Sequence, residues 1–349
     1  MYFPLDLTFR MARYIACQKI CRVPKFPLVL MLEPLHRCNL RCSGCGRIRE
    51  YADTLNQELS VEECLESVKE CNAPIVSICG GEPLIYQNIA ELVERILQLG
   101  KFIYLCTNGQ LLEEKLGIFT GLAAVNRLVK KRLYWNVHLD GTAAFHDGIT
   151  GKPGSFDKAV AGIAAAKHAG FYVYTNSTLY RQHGVESSVE DLAKLGEILL
   201  PLKIDGMMVA PGYGYAAVQS SEEFFLTRED THKIFRSIRE RMRQSPKTLR
   251  LTATPVFMDF LCGERELPCA AWANPTRNIR GWKSPCYLIT DRHFETYRAL
   301  IDGTDWTKIG FGSDVRCTDC LMHCGYEPAA VLFGTRLSDL IRTAVWQLG

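Results

Sequence analysis

From residue 27 to about residue 215, apolar runs of strand length alternate with amphipathic stretches of helix length. The strand-like runs are 28–33, 74–78, 102–105, 133–139, 171–176 and 206–210. The helix-like stretches 60–72, 88–99, 111–119, 156–169 and 186–199 lie between them. Ser60 followed by Glu63 has the spacing of a capping box, and the alanine-rich stretch after residue 156 favours helix. Six strands separated by helices predict an α/β domain with a parallel sheet and right-handed crossovers. Six units are fewer than a closed eight-unit barrel needs, so the pattern fits an open partial barrel or an open doubly wound sheet. In both, ligands gather at the carboxyl ends of the strands. Beyond residue 216 the alternation stops. A charged helix over 227–244, capped by Thr227, leads into a loop-rich region and an amphipathic tail helix over 336–348. No internal repeat is visible. The chain therefore divides into a segment 1–26, an α/β core 27–215 and an extension 216–349.

The bulk composition excludes several classes. Of 349 residues 47% are apolar and 23% charged, as in ordinary globular proteins. A net charge of +3, without an aromatic-basic stripe, argues against a nucleic-acid partner. No apolar run is long enough to span a bilayer. The 15 cysteines are many, and an odd total fits a disulfide framework poorly. With no secretory signal ahead of them, the expectation is a reduced, cytoplasmic protein in which some thiols bind metal. Cys64 and Cys71 read as small core residues. In residues 1–25, Arg10, Arg13, Lys19, Arg22 and Lys25 face a single acid, Asp6, among scattered apolar residues. This segment is a basic amphipathic helix. It either packs on the main domain or rests on the inner face of a membrane, which would make the protein peripheral.

The chemistry begins just after the first strand. Cys38, Cys42 and Cys45 form a Cys-x3-Cys-x2-Cys loop. Three close thiolates can hold three irons of an iron–sulfur cube and leave the fourth open. An open metal position is what a catalytic centre requires. Nearby Arg37, Arg41 and Arg47 would favour thiolate over thiol. With His36 as a fourth ligand, a structural zinc site is the alternative.

Further polar turns follow the later strands. Gly80-Gly81-Glu82-Pro83 follows the second, with glycines that let backbone approach a ligand and a proline that fixes the turn. The third ends in Cys106-Thr107-Asn108-Gly109, the fourth in His138-Leu139-Asp140 and the fifth in Asn176-Ser177. Each polar residue, taken singly, is equally a helix cap or turn residue.

The cysteine loop resembles the Cys-x3-Cys-x-aromatic-Cys motif of the radical S-adenosylmethionine (SAM) superfamily, and the Gly-Gly-Glu-Pro and Thr-Asn-Gly turns are similar to that superfamily's own. The resemblance implies a partial (β/α)6 TIM-like barrel with a cysteine-rich C-terminal extension. It implies a [4Fe–4S] cluster on Cys38, Cys42 and Cys45. SAM contacts would come from Gly80, Gly81, Glu82, Pro83, Asn108, His138, Asp140, Asn176 and Ser177. One residue departs from the motif: Gly44 stands where the superfamily carries an adenine-contacting aromatic.

Longer stretches, from about residue 26 to 330, resemble the adenosyl-hopene transferase branch. They include 27–35, the cysteine loop, 104–108, 137–141, 211–215, 272–278 and 317–327, with Cys79 and Gly109 as departures beside the SAM turns. This resemblance implies that the 5′-deoxyadenosyl radical adds to the terminal alkene of diploptene, a hopanoid triterpene, and consumes SAM. It also implies a small electron-transfer partner such as flavodoxin or ferredoxin. Radical addition leaves a tertiary carbon radical that needs a hydrogen atom. A thiol is the best side-chain donor, which makes Cys106 the candidate catalytic residue, with simple packing as its alternative. The other superfamily reading is a hydrogen-abstracting enzyme acting on a peptide. A large apolar substrate calls for an aliphatic and aromatic pocket, for which Tyr213, Tyr215, Phe257, Phe260 and Leu261 are candidates. Finally, Cys286, Cys317, Cys320 and Cys324 could form a second metal site, as an auxiliary cluster or, with His323, a zinc site; free thiols are the third alternative.

Overall fold

The computed structural model describes residues 2–181, 184–218, 224–245, 248–334 and 336–348. Strands β1 (Val29–Leu32), β2 (Ile75–Ile78), β3 (Phe102–Thr107), β4 (Leu133–His138), β5 (Tyr172–Leu179) and β6 (Gly206–Pro211) are parallel and lie side by side in chain order. A doubly wound sheet reverses its order at a switch point. Here every crossover advances in the same direction, which is the winding of a barrel left open. The helices Val61–Cys71, Ile89–Gln98, Leu112–Val125, Ser155–His168 and Gly184–Leu199 fill the crossovers where the periodicity places them. Ser60 and Glu63 do form a capping box: the Ser60 hydroxyl accepts from Glu63 N–H, and the Glu63 carboxylate accepts from Ser60 N–H. Such a cap contributes about 1 kcal/mol.

The extension departs from expectation. The region read as loops contributes β7 (Thr276–Asn278), β8 (Gly281–Pro285) and β9 (Thr290–Phe294) to the same sheet, giving the order β6-β5-β4-β3-β2-β1-β7-β8-β9. β7 is three residues long and has no apolar alternation. It exists because the free edge of β1 offers partners: Met31 N–H donates to Pro275 O and Glu33 N–H to Arg277 O, both at 2.9 Å. At the opposite margin, Met207 exchanges backbone hydrogen bonds with Arg250 and Thr252. The helices Arg228–Gln244 and Leu337–Leu348 lie where the sequence predicts them.

Strand alternation separates two faces. Leu30, Leu32, Val76, Ile78, Ile103, Leu105, Trp135 and Val137 join the main core beneath the helices. Ile75, Phe102, Tyr134 and Tyr174 point the other way, into the half-barrel, with Val29, Tyr104 and Tyr172. The N-terminal helix Leu5–Ile20 sets Leu7, with Phe3 and Met11, against this inner cluster, at the amino ends of the strands. Tyr14 and Ile15 continue the contact along the main core. Of the two readings of residues 1–25, packing on the domain is the one observed. The tail helix lies beside it: Tyr2 stacks on Trp346 at 4.4 Å, and Gln347 Nε2 donates to Phe3 O at 2.6 Å.

Candidate functional site

The cysteine loop leaves β1 through Glu33, whose carboxylate is wholly buried. Arg47, just past the loop, places Nε 3.0 Å from Glu33 Oε1. Arg47 also reaches Glu50 at 3.0 Å and the Tyr287 carbonyl at 2.9 Å. His36, just before the loop, lies 3.7 Å from the other Glu33 oxygen. One buried carboxylate therefore anchors both ends of residues 38–45. Burial opposes its charge, but Arg47, His36 and Lys283 outweigh that and hold it down at about 2. Sequence reasoning missed this anchor, because Glu33 reads only as the end of a strand.

The same contacts correct two expectations. His36 Nδ1 is 2.8 Å from Thr54 Oγ1, and its ring stacks on Tyr51 at 4.0 Å. It faces away from the cysteines and is not a fourth ligand. Arg47 is committed to Glu33, and Arg37 pairs with Glu58, so neither acts mainly on the thiols. Burial pushes the Cys38 thiol up to about 11 and raises that of Cys42, which the neighbouring thiols raise further. Three such groups ionise together only around a strongly binding cation, which is the chemistry of a metal cluster.

The second motif is stitched to the first. Cys79 N–H donates to Leu32 O, Gly81 N–H to Leu35 O and Glu82 N–H to Arg37 O, at 2.8–3.0 Å. A side chain at Gly81 would lie 1.9 Å from the Arg37 carbonyl oxygen, so only glycine fits. Glu82 is buried and grips the end of β3: it accepts from Thr107 Oγ1 at 2.7 Å, from Asn108 N–H at 2.8 Å and from Leu84 N–H at 2.9 Å. Burial still pushes its carboxyl up to about 7. Pro83 opens the short 3-10 turn that follows. Asn108 in turn places Nδ2 2.7 Å from Asn39 Oδ1 and 3.6 Å from Cys38 Sγ. Gly80 to Pro83, Asn108 and the cysteine loop thus form one wall.

The ends of β4 and β5 form the next part of the rim. His138 Nε2 is 3.0 Å from Asp140 Oδ2, and Asp140 Oδ1 accepts from Thr178 N–H at 2.6 Å. Burial works against the imidazolium, but Asp140 and the Asn176 backbone outweigh it and raise its pKa. Asn176 pairs in register with His138, on the inner side. Ser177 does not join them. β5 runs on to Leu179, so Ser177 falls on the opposite face, where its hydroxyl donates to Leu139 O at 2.6 Å.

Phe102, Tyr104 and Cys106 alternate inward along β3. Cys106 Sγ lies 3.3 Å from Ser77 Oγ and 3.6 Å from Asn136 Nδ2. Burial raises its pKa above the ordinary thiol value, so it stays protonated at neutral pH. Glu327, which the sequence did not single out, carries a carboxyl that burial pushes up to about 7, and its charge acts on Tyr104.

The site holds an aromatic ring beside the third cysteine, brought there from another strand. A side chain at Gly44 would lie 2.1 Å from Tyr180 Oη, and one at Gly212 would lie 2.6 Å from Tyr180 Cδ1. Tyr180, one residue past β5, fills the slot between these glycines and stacks on Phe224 at 4.3 Å. Of the suggested pocket residues, Phe257, Phe260 and Leu261 are core. Tyr215 Oη accepts from Gly46 N–H at 3.0 Å.

Residues 32–196 match the family described as the Radical SAM superfamily, and residues 207–341 match a domain of unknown function, DUF3463. The AdoMet-dependent heme synthase of Methanosarcina barkeri (strain Fusaro) is 27% identical over 243 residues, covering 67% of this chain and 64% of that protein. The pre-heme d1 synthase of Dinoroseobacter shibae is 27% identical over 196 residues, covering 54% and 46%. The chain thus spans about half the length of these curated relatives. Among solved structures, Streptococcus suis SuiB bound to precursor peptide SuiA superposes with a TM-score of 0.62 at 17% identity, over 90% of this chain and 75% of that one. Native anSMEcpe with bound AdoMet and Cp18Cys peptide gives 0.56 at 15% identity, over 90% and 98%. These two likenesses are of fold.

Proposed function

We propose that this chain, a member of the radical SAM superfamily through residues 32–196, transfers the 5′-deoxyadenosyl group of SAM to the terminal alkene of a hopanoid, diploptene. Cys38, Cys42 and Cys45 would hold the superfamily's [4Fe–4S] cluster, with SAM along the wall of Gly80, Gly81, Glu82, Pro83 and Asn108. His138, Asp140 and Asn176 would meet its polar groups on the rim. When bound, the cluster supplies the electron that splits the sulfonium.

The observation that carries the reading is Cys106, a buried, protonated thiol on the inner face of β3, amid tyrosines and apolar side chains. The adenosyl radical forms a C–C bond to the alkene, leaving a tertiary carbon radical. Cys106 S–H gives that carbon a hydrogen atom and becomes a thiyl. One further electron and one proton restore the thiol. Each product thus consumes one SAM, two electrons and one proton, with methionine released. Flavodoxin or ferredoxin would serve as the one-electron donor. The likeness of residues 27–35, 104–108, 137–141, 272–278 and 317–327 to the adenosyl-hopene transferase branch supports the alkene as substrate.

The heme-synthase relatives favour a second reading, in which the same radical abstracts hydrogen from a different substrate, as a radical SAM enzyme of another branch. Anaerobic incubation with SAM, reductant and diploptene separates the two. The transferase gives a covalent adenosyl-triterpene, whereas hydrogen abstraction gives free 5′-deoxyadenosine. Only free 5′-deoxyadenosine from the diploptene reaction would overturn the transferase. Replacing Cys106→Ala should lower the saturated product about tenfold or more, while SAM cleavage persists. Unchanged product yield and stereochemistry would remove Cys106 from the mechanism.

No helix among the described residues is long and apolar enough to cross a membrane. The tail helix nevertheless exposes Leu337, Leu340, Ile341, Val345 and Leu348 on its surface. Together with the basic N-terminal helix, this supports peripheral contact with an anionic bilayer. The protein should sediment with vesicles containing phosphatidylglycerol, and Leu340→Glu/Val345→Glu should abolish that. Sedimentation unaffected by the substitutions would exclude this face.

A further inference from the structure

Five cysteines of the extension surround a single cavity: Cys269, Cys286, Cys317, Cys320 and Cys324. They arrive from four separate places. Cys269 lies in the loop after the helix Pro255–Leu261, and Cys286 follows β8. Cys317 and Cys320 belong to the turn near 315–320, and Cys324 lies in the first turn of the helix His323–Phe333. None is in a disulfide. The spacing of the last four marks them in the sequence. Cys269 has no such mark and joins only through the fold, where Ala270 N–H donates to Gly325 O at 2.9 Å. Two glycines make room for it: a side chain at Gly325 would lie 2.6 Å from Cys269 Sγ, and one at Gly310 2.9 Å from Cys269 Cβ.

The sulfurs are arranged as ligands. Backbone N–H groups point at them: Ile289 at Cys286 Sγ, 3.3 Å, with Leu288 beside it, Ala271 at Cys269, Gly310 at Cys317 and Met322 at Cys320. Leu40 N–H meets Cys38 Sγ in the same way, at 3.4 Å, in the first cysteine loop. An amide donor strengthens a thiolate and does little for a neutral thiol. The thiols ring the cavity instead of converging: among the described residues no group of three or more His, Cys, Asp or Glu is placed to hold a single metal ion. The same holds for Cys38, Cys42 and Cys45. A zinc ion needs its four ligands about 2.3 Å from one point, whereas a cube carries them at its corners.

We infer that Cys269, Cys286 and Cys320, with a fourth thiolate from Cys317 or Cys324, bind a second iron–sulfur cluster. His323 is not needed as a ligand. The site is tied to the first loop. Tyr213 lines the cavity and lies parallel to Tyr215 at 6.4 Å, and Tyr215 accepts from Gly46, the neighbour of Cys45.

The test is metal and sulfide analysis of the full chain after anaerobic reconstitution with ferrous iron and sulfide. The native chain should hold about eight irons and about eight sulfides. The variant Cys38→Ala/Cys42→Ala/Cys45→Ala should keep about four of each, with the electron paramagnetic resonance signal of a reduced cluster. Adding Cys269→Ser and Cys286→Ser should remove them. A triple variant that folds by circular dichroism yet holds no iron overturns the inference, as does zinc without sulfide. Should the triple variant fail to fold, the native count decides: about four irons overturns the second cluster, and about eight, falling to about four in Cys269→Ser/Cys286→Ser, supports it. None of these readings depends on which substrate the enzyme takes.

Discussion

Replacing Gly44→Tyr, which restores the aromatic that the superfamily motif carries there, should disable the first cysteine loop. The new side chain would begin 2.1 Å from Tyr180 Oη, and Tyr180 cannot retreat, because Gly212 and Phe224 close the other side of its slot. Overpacking by a methylene or two costs about 1–3 kcal/mol, and a whole ring exceeds that. The loop, held at both ends by Glu33, would yield before the strands do. Iron bound through Cys38, Cys42 and Cys45 should fall by at least about half, and reductive SAM cleavage by about a hundredfold, roughly 3 kcal/mol. The double variant Gly44→Tyr/Tyr180→Gly moves the ring back to the loop and should recover most of both. Native iron content in the single variant would mean that the slot is not closed.

Glu33→Gln should cost about 3–5 kcal/mol of stability at pH 7, because Arg47 would remain buried against a neutral partner. The native carboxyl titrates near 2 instead of the usual 4.5, so its charge contributes about 3 kcal/mol above pH 4.5. A depressed carboxyl stabilises the fold above its unfolded value, and the contribution disappears as pH falls from about 4.5 towards 2. Chemical denaturation at pH 7 and at pH 3 measures this. The native protein should lose stability between the two, and the Glu33→Gln variant should show a much smaller loss. Equal losses in both proteins would show that the acid sensitivity resides elsewhere.

The parallel core was legible because β1 to β6 are near-continuous apolar runs, each followed by a helix-period stretch with its own start signal, such as Ser60 and Glu63. β7 to β9 were not. Their residues, such as Thr276-Arg277-Asn278, become strand only because a free edge awaits them. The cysteine loop and the Gly-Gly-Glu-Pro turn were legible because their residues are contiguous. Glu33 with Arg47, Tyr180 with Gly44, and Cys269 with Cys286 are each joined through space by segments that share no local pattern. Ser177 was misplaced for a related reason: a turn read after residue 176 is in fact strand, and one step of alternation turns the side chain to the other face.

A closed barrel has no margins, whereas this half-barrel has two, and an unpaired margin recruits strands from other molecules. At one margin the backbone of Met207 is already engaged by Arg250 and Thr252. At the other, the outermost strand β9 presents Asp291, Arg292 and His293, a charged row that resists edge-to-edge polymerisation. The extension beyond the parallel strands therefore protects the opened barrel from aggregation, besides any part it takes in chemistry.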